Sequence, residues 1–289
     1  MNYSLNFQLY SYIFFLIKNI PINWYGLMYI FIFLIYTIHG AKKSKIPNFF
    51  LTKKEIENLL FYGFLGMLVG GRIGYIILYN IKFFIINPIY ILKIWMGGMS
   101  FHGGLIGTAI ALLFFSYRIK KNFFCISDFI IPLVPLGITL GRLGNFINGE
   151  LWGRISVNNN FSILFHNSKY ADLKETIIHP QYKVFINKFG TIPRHPSQLY
   201  ELLLEGIILF LLLNTVNKKN KKPGYISSLF LIFYGILRFI CEYFREPDYQ
   251  IKFIINYFTI GQILSFPMII LGIVTIAKCY INSFIKKLK

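Results

Sequence analysis

The stretch Phe129-Ile-Ile-Pro-Leu-Val-Pro-Leu-Gly-Ile-Thr-Leu-Gly141-Arg-Leu-Gly-Asn-Phe-Ile-Asn-Gly-Glu-Leu-Trp-Gly-Arg154 decides how this chain is read. Its first half is apolar enough to sit in lipid. Its second half, Gly141 to Arg154, packs two arginines, two asparagines, a glutamate and four glycines into fourteen residues. Charge at the end of an apolar span, with glycines that let backbone approach closely, points to a polar ligand at a membrane surface.

The rest of the chain supports a membrane setting. Of 289 residues, 55% are hydrophobic and 14% charged, and the mean hydropathy is +0.56. A soluble protein is about one quarter charged. We therefore expect an all-α integral membrane protein, one polytopic domain over residues 1–289. Roughly 20 apolar residues make a spanning helix, and seven such stretches are visible, about 20–39, 58–79, 97–116, 125–141, 199–214, 225–243 and 254–277. The first span has an alternative, earlier start at Tyr12.

The net charge of +19 would suit a nucleic-acid binder, but its distribution does not. Lys42, Lys43, Lys45, Lys53 and Lys54 follow span one, and Arg118, Lys120 and Lys121 follow span three. Lys218, Lys219, Lys221 and Lys222 follow span five, and Lys278, Lys286, Lys287 and Lys289 follow span seven. These are alternate gaps, so all lie on one side, which the positive-inside rule makes cytoplasmic. The N-terminus is then extracytoplasmic and the C-terminus cytoplasmic. Residues 143–196 become an extracytoplasmic insertion, a head region between helices four and five. The basic clusters face anionic lipid headgroups, and no nucleic-acid partner is expected. Cys125, Cys241 and Cys279 are scattered and odd in number, so no disulfide framework or metal spacing is visible. No cleavable signal peptide stands out.

Ionisable residues inside spans cost about 2.5–3.5 kcal/mol each, so those present need a reason. They are Arg72, His102, Arg142, Glu201, Glu205, Arg238 and Glu242. Arg238 and Glu242 are four apart on one helix face, with Tyr234 one turn earlier. They read either as a self-neutralised pair or as an arginine oriented for an anion. Arg142 lies at the same, outer level, and two guanidinium forks suit phosphate oxygens. His102, among glycines at the start of span three, is structural or a proton acceptor near neutral pH. Arg72 either lines the same cavity or pairs with a carboxylate. His195 precedes span five, where Ser197 followed by Glu201 looks like helix initiation. His39, His166 and His179 have no comparable setting. There is no G-x-S-x-G, H-E-x-x-H, Walker A or C-x-x-C pattern. An enzyme here would bring two substrates together and supply a base and an anion clamp.

Trp24-Tyr-Gly-Leu-Met28, Gly70-Gly-Arg-Ile-Gly-Tyr75, Gly97-Gly-Met-Ser-Phe-His-Gly-Gly104, Gly141 to Arg154, Arg194-His-Pro-Ser-Gln-Leu-Tyr-Glu201 and Arg238-Phe-Ile-Cys-Glu242 together resemble the bacterial phosphatidylglycerol–prolipoprotein diacylglyceryl transferase family. They occur in the family's order from about residue 20 to 270. The resemblance implies a multi-pass enzyme of the bacterial inner membrane with an outward-facing site and no metal or cofactor. Its partners would be phosphatidylglycerol, the lipobox cysteine of prolipoprotein signal peptides, and membrane lipids. It implies transfer of a diacylglyceryl group to that thiol, with glycerol 1-phosphate released. On this resemblance Arg142 binds the headgroup phosphate, Arg238 held by Glu242 stabilises the departing phosphate, and His102 takes the thiol proton. Tyr25, Asn145, Glu150, Gly153 and Tyr234 match positions tied to binding or site geometry. The alternatives are an anion transporter and a non-catalytic lipid-binding membrane protein.

Overall fold

A computed structural model describes residues 12–13, 22–47, 49–93, 98–157, 161–217, 222–247 and 258–288. Two short strands, β1 (Tyr12–Ile13) and β2 (Ile22–Asn23), pair antiparallel. Helices follow: α1 (Trp24–Ser44), α2 (Lys53–Tyr79), α3 (Ile81–Ile86), α4 (Phe101–Arg118), α5 (Phe123–Ile130) and α6 (Val134–Ile147). After α6 come α7 (Lys169–Ile178) and α8 (Lys183–Phe189). Then come α9 (Ser197–Glu201), a π-helical stretch (Leu202–Ile208), α10 (Leu209–Asn217), α11 (Tyr225–Cys241) and α12 (Ile260–Leu288).

Among the described residues, four helices are long and apolar enough to cross a membrane: Lys53–Tyr79, Phe123–Ile147, Ser197–Val216 and Ile260–Lys278. Tyr225–Cys241 is apolar but shorter. The chain is therefore a helical protein with the composition of a membrane protein. Several boundaries differ from the sequence expectation. The first helix starts at Trp24, after the β1–β2 pair, and not at 20 or at Tyr12. The third starts at Phe101 because Ser100 caps it, its side chain accepting from the Gly103 amide at 3.2 Å. Helix α6 continues beyond 141 to Ile147, so the polar segment begins as two turns of helix.

The chain divides into two compact units, one of residues 33–130 and one of residues up to 32 together with 131–289. In the first, Thr52 and Glu55 form a capping box that starts α2: the Glu55 amide donates to Thr52 Oγ1 at 3.3 Å, and the Thr52 amide to Glu55 Oε2 at 2.7 Å. Helices α2 and α4 then meet along glycines. A Cβ on Gly70 would lie 2.7 Å from Gly107 Cα, and one on Gly74 would lie 2.6 Å from Gly103 Cα. This is the small-xxx-small packing that brings helix backbones together where lipid gives no hydrophobic drive. A core of Leu51, Ile56, Leu59, Leu112, Phe115 and Ile126 closes one end. In the second unit, α11 and α12 pack at Gly235 and Gly272, where a Cβ would press on Ile269 and Ile232.

Arg72 is anchored to backbone carbonyls of its own unit. It is 2% exposed. Its guanidinium donates to the carbonyls of Ile91, Gly98, Tyr90 and Lys93 at 3.2, 3.2, 2.7 and 3.0 Å, and lies 4.6 Å from the Tyr90 ring centroid. Pro88–Leu92 is a 3-10 turn. Arg72 thus satisfies carbonyls that a short helix leaves open at its C-terminal end. His102 belongs to this same unit, in the first turn of α4, half-buried, with the Phe101 ring edge-on at 5.6 Å.

Candidate active site

The second unit gathers three arginines and three glutamates from four helical segments and the residues just after the last. Arg142 comes from α6, Glu201 from the end of α9, and Glu205 from the π-helical stretch. Arg238 comes from α11, with Glu242 and Arg245 just beyond it. Arg142 Nε lies 2.9 Å from Glu201 Oε2, and Arg142 Nη2 lies 3.8 Å from Glu205 Oε2. Arg238 Nη1 donates to Glu201 Oε1 at 2.5 Å and to Glu205 Oε1 at 3.3 Å, while Nη2 reaches Glu242 Oε2 at 2.7 Å. Arg245 Nη1 stands 3.8 Å from Glu201 Oε1. Glu201 and Glu205 are 0% exposed and Arg238 is 6% exposed.

Glu201 is therefore the hub, one carboxylate shared by three guanidinium groups. The arrangement is formally neutral, which is the condition under which buried charge is tolerated. The π-helical stretch carries Glu205 and lies where Gly206 abuts Thr139 of α6. Such π segments are rare and recur at functional sites. Tyr234, 1% exposed, stacks on Phe230 one turn before Arg238. Asn145, one turn after Arg142 on α6, is buried, and its Oδ1 is 3.5 Å from Arg142 Nη1.

The turn after α6 is held by α9. The Glu150 amide donates to the Asn145 carbonyl at 2.9 Å, and Gln198 Nε2 donates to the Glu150 carbonyl at 2.6 Å. Ser197 Oγ donates to the Leu151 carbonyl at 3.1 Å. Leu151 has φ +55°, a conformation unfavourable for a residue with a side chain, and this bond helps hold it. Ser197 and Glu201 therefore do not initiate the helix as the sequence suggested. Pro196 stands at the cap with no side-chain cap bond, and Glu201 is spent on arginines. The Glu150 side chain is exposed.

Gly153 is hemmed in by backbone. Its amide donates to the His195 carbonyl at 2.9 Å, and it bridges antiparallel to Arg245. A Cβ there would lie 2.5 Å from the carbonyl oxygens of both His195 and Phe244. Arg154 completes the seam, its amide donating to Phe244 O at 2.9 Å and its Nε to Arg245 O at 3.0 Å. The strip 153–154 thus seats Arg245 beside Glu201. His195 packs with Tyr200 and Phe244, its Nδ1 3.3 Å from the Tyr200 hydroxyl. Burial holds its pKa below the ordinary histidine value. Tyr25 lies in the first turn of α1, and its side chain falls outside the described residues.

The segment around α7 has a pin of its own. Arg194, 1% exposed, places Nη2 2.7 Å and Nε 2.8 Å from Asp172 Oδ1 of α7. It also donates to Gly153 O at 3.1 Å and to Glu246 Oε2 at 3.2 Å. Asp172 accepts from Ser168 Oγ at 2.6 Å and from the Ile192 amide at 3.0 Å. Burial raises the Glu246 pKa although Arg194 opposes it.

Of the expected site residues, the structure joins Arg142, Arg238 and Glu242 in one ion-pair cluster, with Asn145 accepting from Arg142 and Tyr234 one turn before Arg238. In sequence, Glu205 stands only as a charge inside a span and Glu201 also as a helix-start residue, while Arg245 and the Arg194–Asp172 pair carry no local signal. Glu201 and Glu205 carried a usable signal: two carboxylates four apart in an apolar helix require cationic partners on other helices. Among the described residues, no group of three or more His, Cys, Asp or Glu side chains is placed to hold a metal ion.

Residues 12–278 match the model of the prolipoprotein diacylglyceryl transferase family. A phosphatidylglycerol–prolipoprotein diacylglyceryl transferase of Buchnera aphidicola subsp. Baizongia pistaciae is 52% identical over 278 residues, covering 96% of this chain and 99% of the relative. The proteins of the same name from Salmonella arizonae and Erwinia tasmaniensis are 47% and 46% identical, each covering 96% of this chain and 95% of the relative.

Proposed function

The chain belongs to the prolipoprotein diacylglyceryl transferase family, and from that premise we propose that it transfers the diacylglyceryl group of phosphatidylglycerol to the lipobox cysteine of prolipoproteins. This would be the first step of lipoprotein maturation. The observation that carries the reading is the buried Arg142–Glu201–Arg238 chain, in which one carboxylate holds two guanidinium groups from different helices at 2.9 and 2.5 Å. Such forks are positioned for phosphate before any ligand arrives.

In the proposed reaction the cysteine sulfur attacks the glyceryl carbon that bears the phosphate ester. The C–S bond forms as the C–O bond breaks. The electron pair leaves with glycerol 1-phosphate, and the thiol proton goes to a base. The acceptor supplies the nucleophile, so the chain needs none of its own. Arg142 binds the headgroup phosphate, and Arg238, oriented by Glu242, takes the growing charge of the leaving phosphate. The cluster is formally neutral at rest, so an incoming phosphate must displace or share a carboxylate contact. The longer contacts to Glu205, 3.3 and 3.8 Å, yield most easily. His102 is the candidate thiol base. Tyr25, Asn145, Glu150, Gly153 and Tyr234 serve binding or site geometry. Gly153 does so through backbone, because the seam has no room for a side chain.

The reading includes seven spans, with the N-terminus extracytoplasmic, the C-terminus cytoplasmic and residues 143–196 forming the extracytoplasmic head. It places the protein in the bacterial inner membrane. The alternate spacing of the lysine-rich gaps supports it. Purified protein incubated with phosphatidylglycerol and a lipobox peptide should add the mass of a diacylglyceryl group to the cysteine and release glycerol 1-phosphate. A peptide with serine in place of cysteine should gain nothing. Absence of both products from the cysteine peptide would defeat the reading. An anion transporter would instead move phosphate across proteoliposomes without modifying the peptide.

A further inference from the structure

We infer that Gly261, in the first turn of α12, is a positioning residue whose missing side chain makes the room in which the Glu242 carboxylate sits and aims Arg238. This rests on the transfer reading above. Three observations on different elements meet here.

The first is steric. A Cβ on Gly261 would lie 2.8 Å from Glu242 Cδ and Oε2, and 2.9 Å from Oε1. Contacts this short force something to move, and here the whole carboxylate group is in the way, not one flexible tip. The second is that neither partner has an easy escape. Glu242 is 4% exposed and is committed to Arg238 Nη2 at 2.7 Å. The start of α12 is fixed by a capping box: the Gln262 amide donates to Thr259 Oγ1 at 3.3 Å, and the Thr259 amide to Gln262 Oε1 at 3.1 Å. Thr259 and Gln262 are 2% and 3% exposed, and Ser265 Oγ returns to the Gly261 carbonyl at 2.8 Å. The third is electrostatic. The first turn of a helix presents its positive end and open amides, so the N-terminus of α12 favours a carboxylate lodged against it.

A methyl group at position 261 therefore pushes Glu242 away, and Arg238 Nη2 loses its orienting partner while Nη1 keeps Glu201 and Glu205. Since Arg238 is assigned to the leaving phosphate, the loss falls on the chemical step more than on lipid binding. A displacement of about 1 Å in a reacting geometry can cost on the order of 100-fold in rate.

The test is a four-way cycle of wild type, Gly261→Ala, Glu242→Asp and the double variant, assayed with phosphatidylglycerol and a lipobox peptide in parallel with thermal unfolding. Gly261→Ala should lower kcat by roughly 10- to 100-fold with KM for phosphatidylglycerol changed by less than about threefold. Glu242→Asp alone should also lose activity, because its shorter carboxylate retracts from Arg238. In the double variant the shorter carboxylate fits beside the added methyl group, and both kcat and melting temperature should exceed those of Gly261→Ala. A Gly261→Ala protein with wild-type kcat, or a double variant no better than Gly261→Ala in both readouts, overturns the inference. If Gly261→Ala yields no folded protein, recovery of folded protein in the double variant supports it and continued failure refutes it. A wild type that transfers nothing would defeat the functional reading alone, since the cycle in melting temperature still decides whether Gly261 makes room for Glu242.

Discussion

At the scale of single residues, the arginines of this site differ in what they can spare. Arg238 is committed to three carboxylates, whereas Arg142 makes one short contact and is 14% exposed at its side chain. Arg142 is therefore the group better able to reach a headgroup. Arg142→Lys should lose on the order of 100-fold or more in transfer rate, because a point charge cannot span Glu201 and phosphate together. Glu201→Gln should be worse for the protein as a whole. It removes the shared negative charge from three arginines, leaves uncompensated buried charge, and should lower both yield and melting temperature of the purified protein. The pairing of Arg238 with Glu242 was legible in the sequence, because four residues on a helix is a fixed distance. The role of Glu201 was not, because its partners lie 59 positions before it and 37 after it, and helix-start chemistry offered a local explanation. The anchoring of Arg72 was not legible for a related reason: backbone carbonyls accept its hydrogen bonds, and no residue type announces them.

At the scale of elements, close approach between helices does more than hydrophobic matching. The α2–α4 contact leaves no space for side chains at Gly70 and Gly107. Gly107→Val should therefore separate the helices and sharply reduce the amount of folded protein recovered from membranes, while Gly63→Ala, which has open space, should be silent. In sequence Gly70 stands only as part of a motif, and its packing shows when the facing helix is in place. Long apolar helices were legible from hydropathy and their ends were not, since caps such as Ser100 and Thr259 set boundaries over a single residue. The seam of residues 153–154, 194–195 and 244–246 was not visible either: backbone pairing between segments more than 40 residues apart leaves no local pattern. His195 sits in that seam with its pKa lowered by burial. Its neutral form is favoured in the folded state, so its contribution to stability is present above the unfolded-state pKa and is lost as pH falls through that range. Melting temperature should drop between about pH 7 and about pH 5, and His195→Gln should flatten that part of the profile.

For the molecule as a whole, the buried Arg194–Asp172 pair ties α7 to Gly153 and Glu246, and through the seam to Arg245 beside Glu201. Breaking a buried pair by removing one partner costs on the order of 3–5 kcal/mol. Asp172→Ala should thus destabilise the segment around α7 and lower activity although it lies outside the ion-pair cluster, and limited proteolysis would register the loosening. On the proposed function, the arginines held by Glu201 carry out transfer of a lipid group to a thiol. The direct measurement places wild type and Arg142→Ala, both purified and folded, in phosphatidylglycerol vesicles with a lipobox peptide and reads the peptide mass. Wild type should add one diacylglyceryl group to the cysteine, and Arg142→Ala should add none. Equal modification by both proteins would contradict the account.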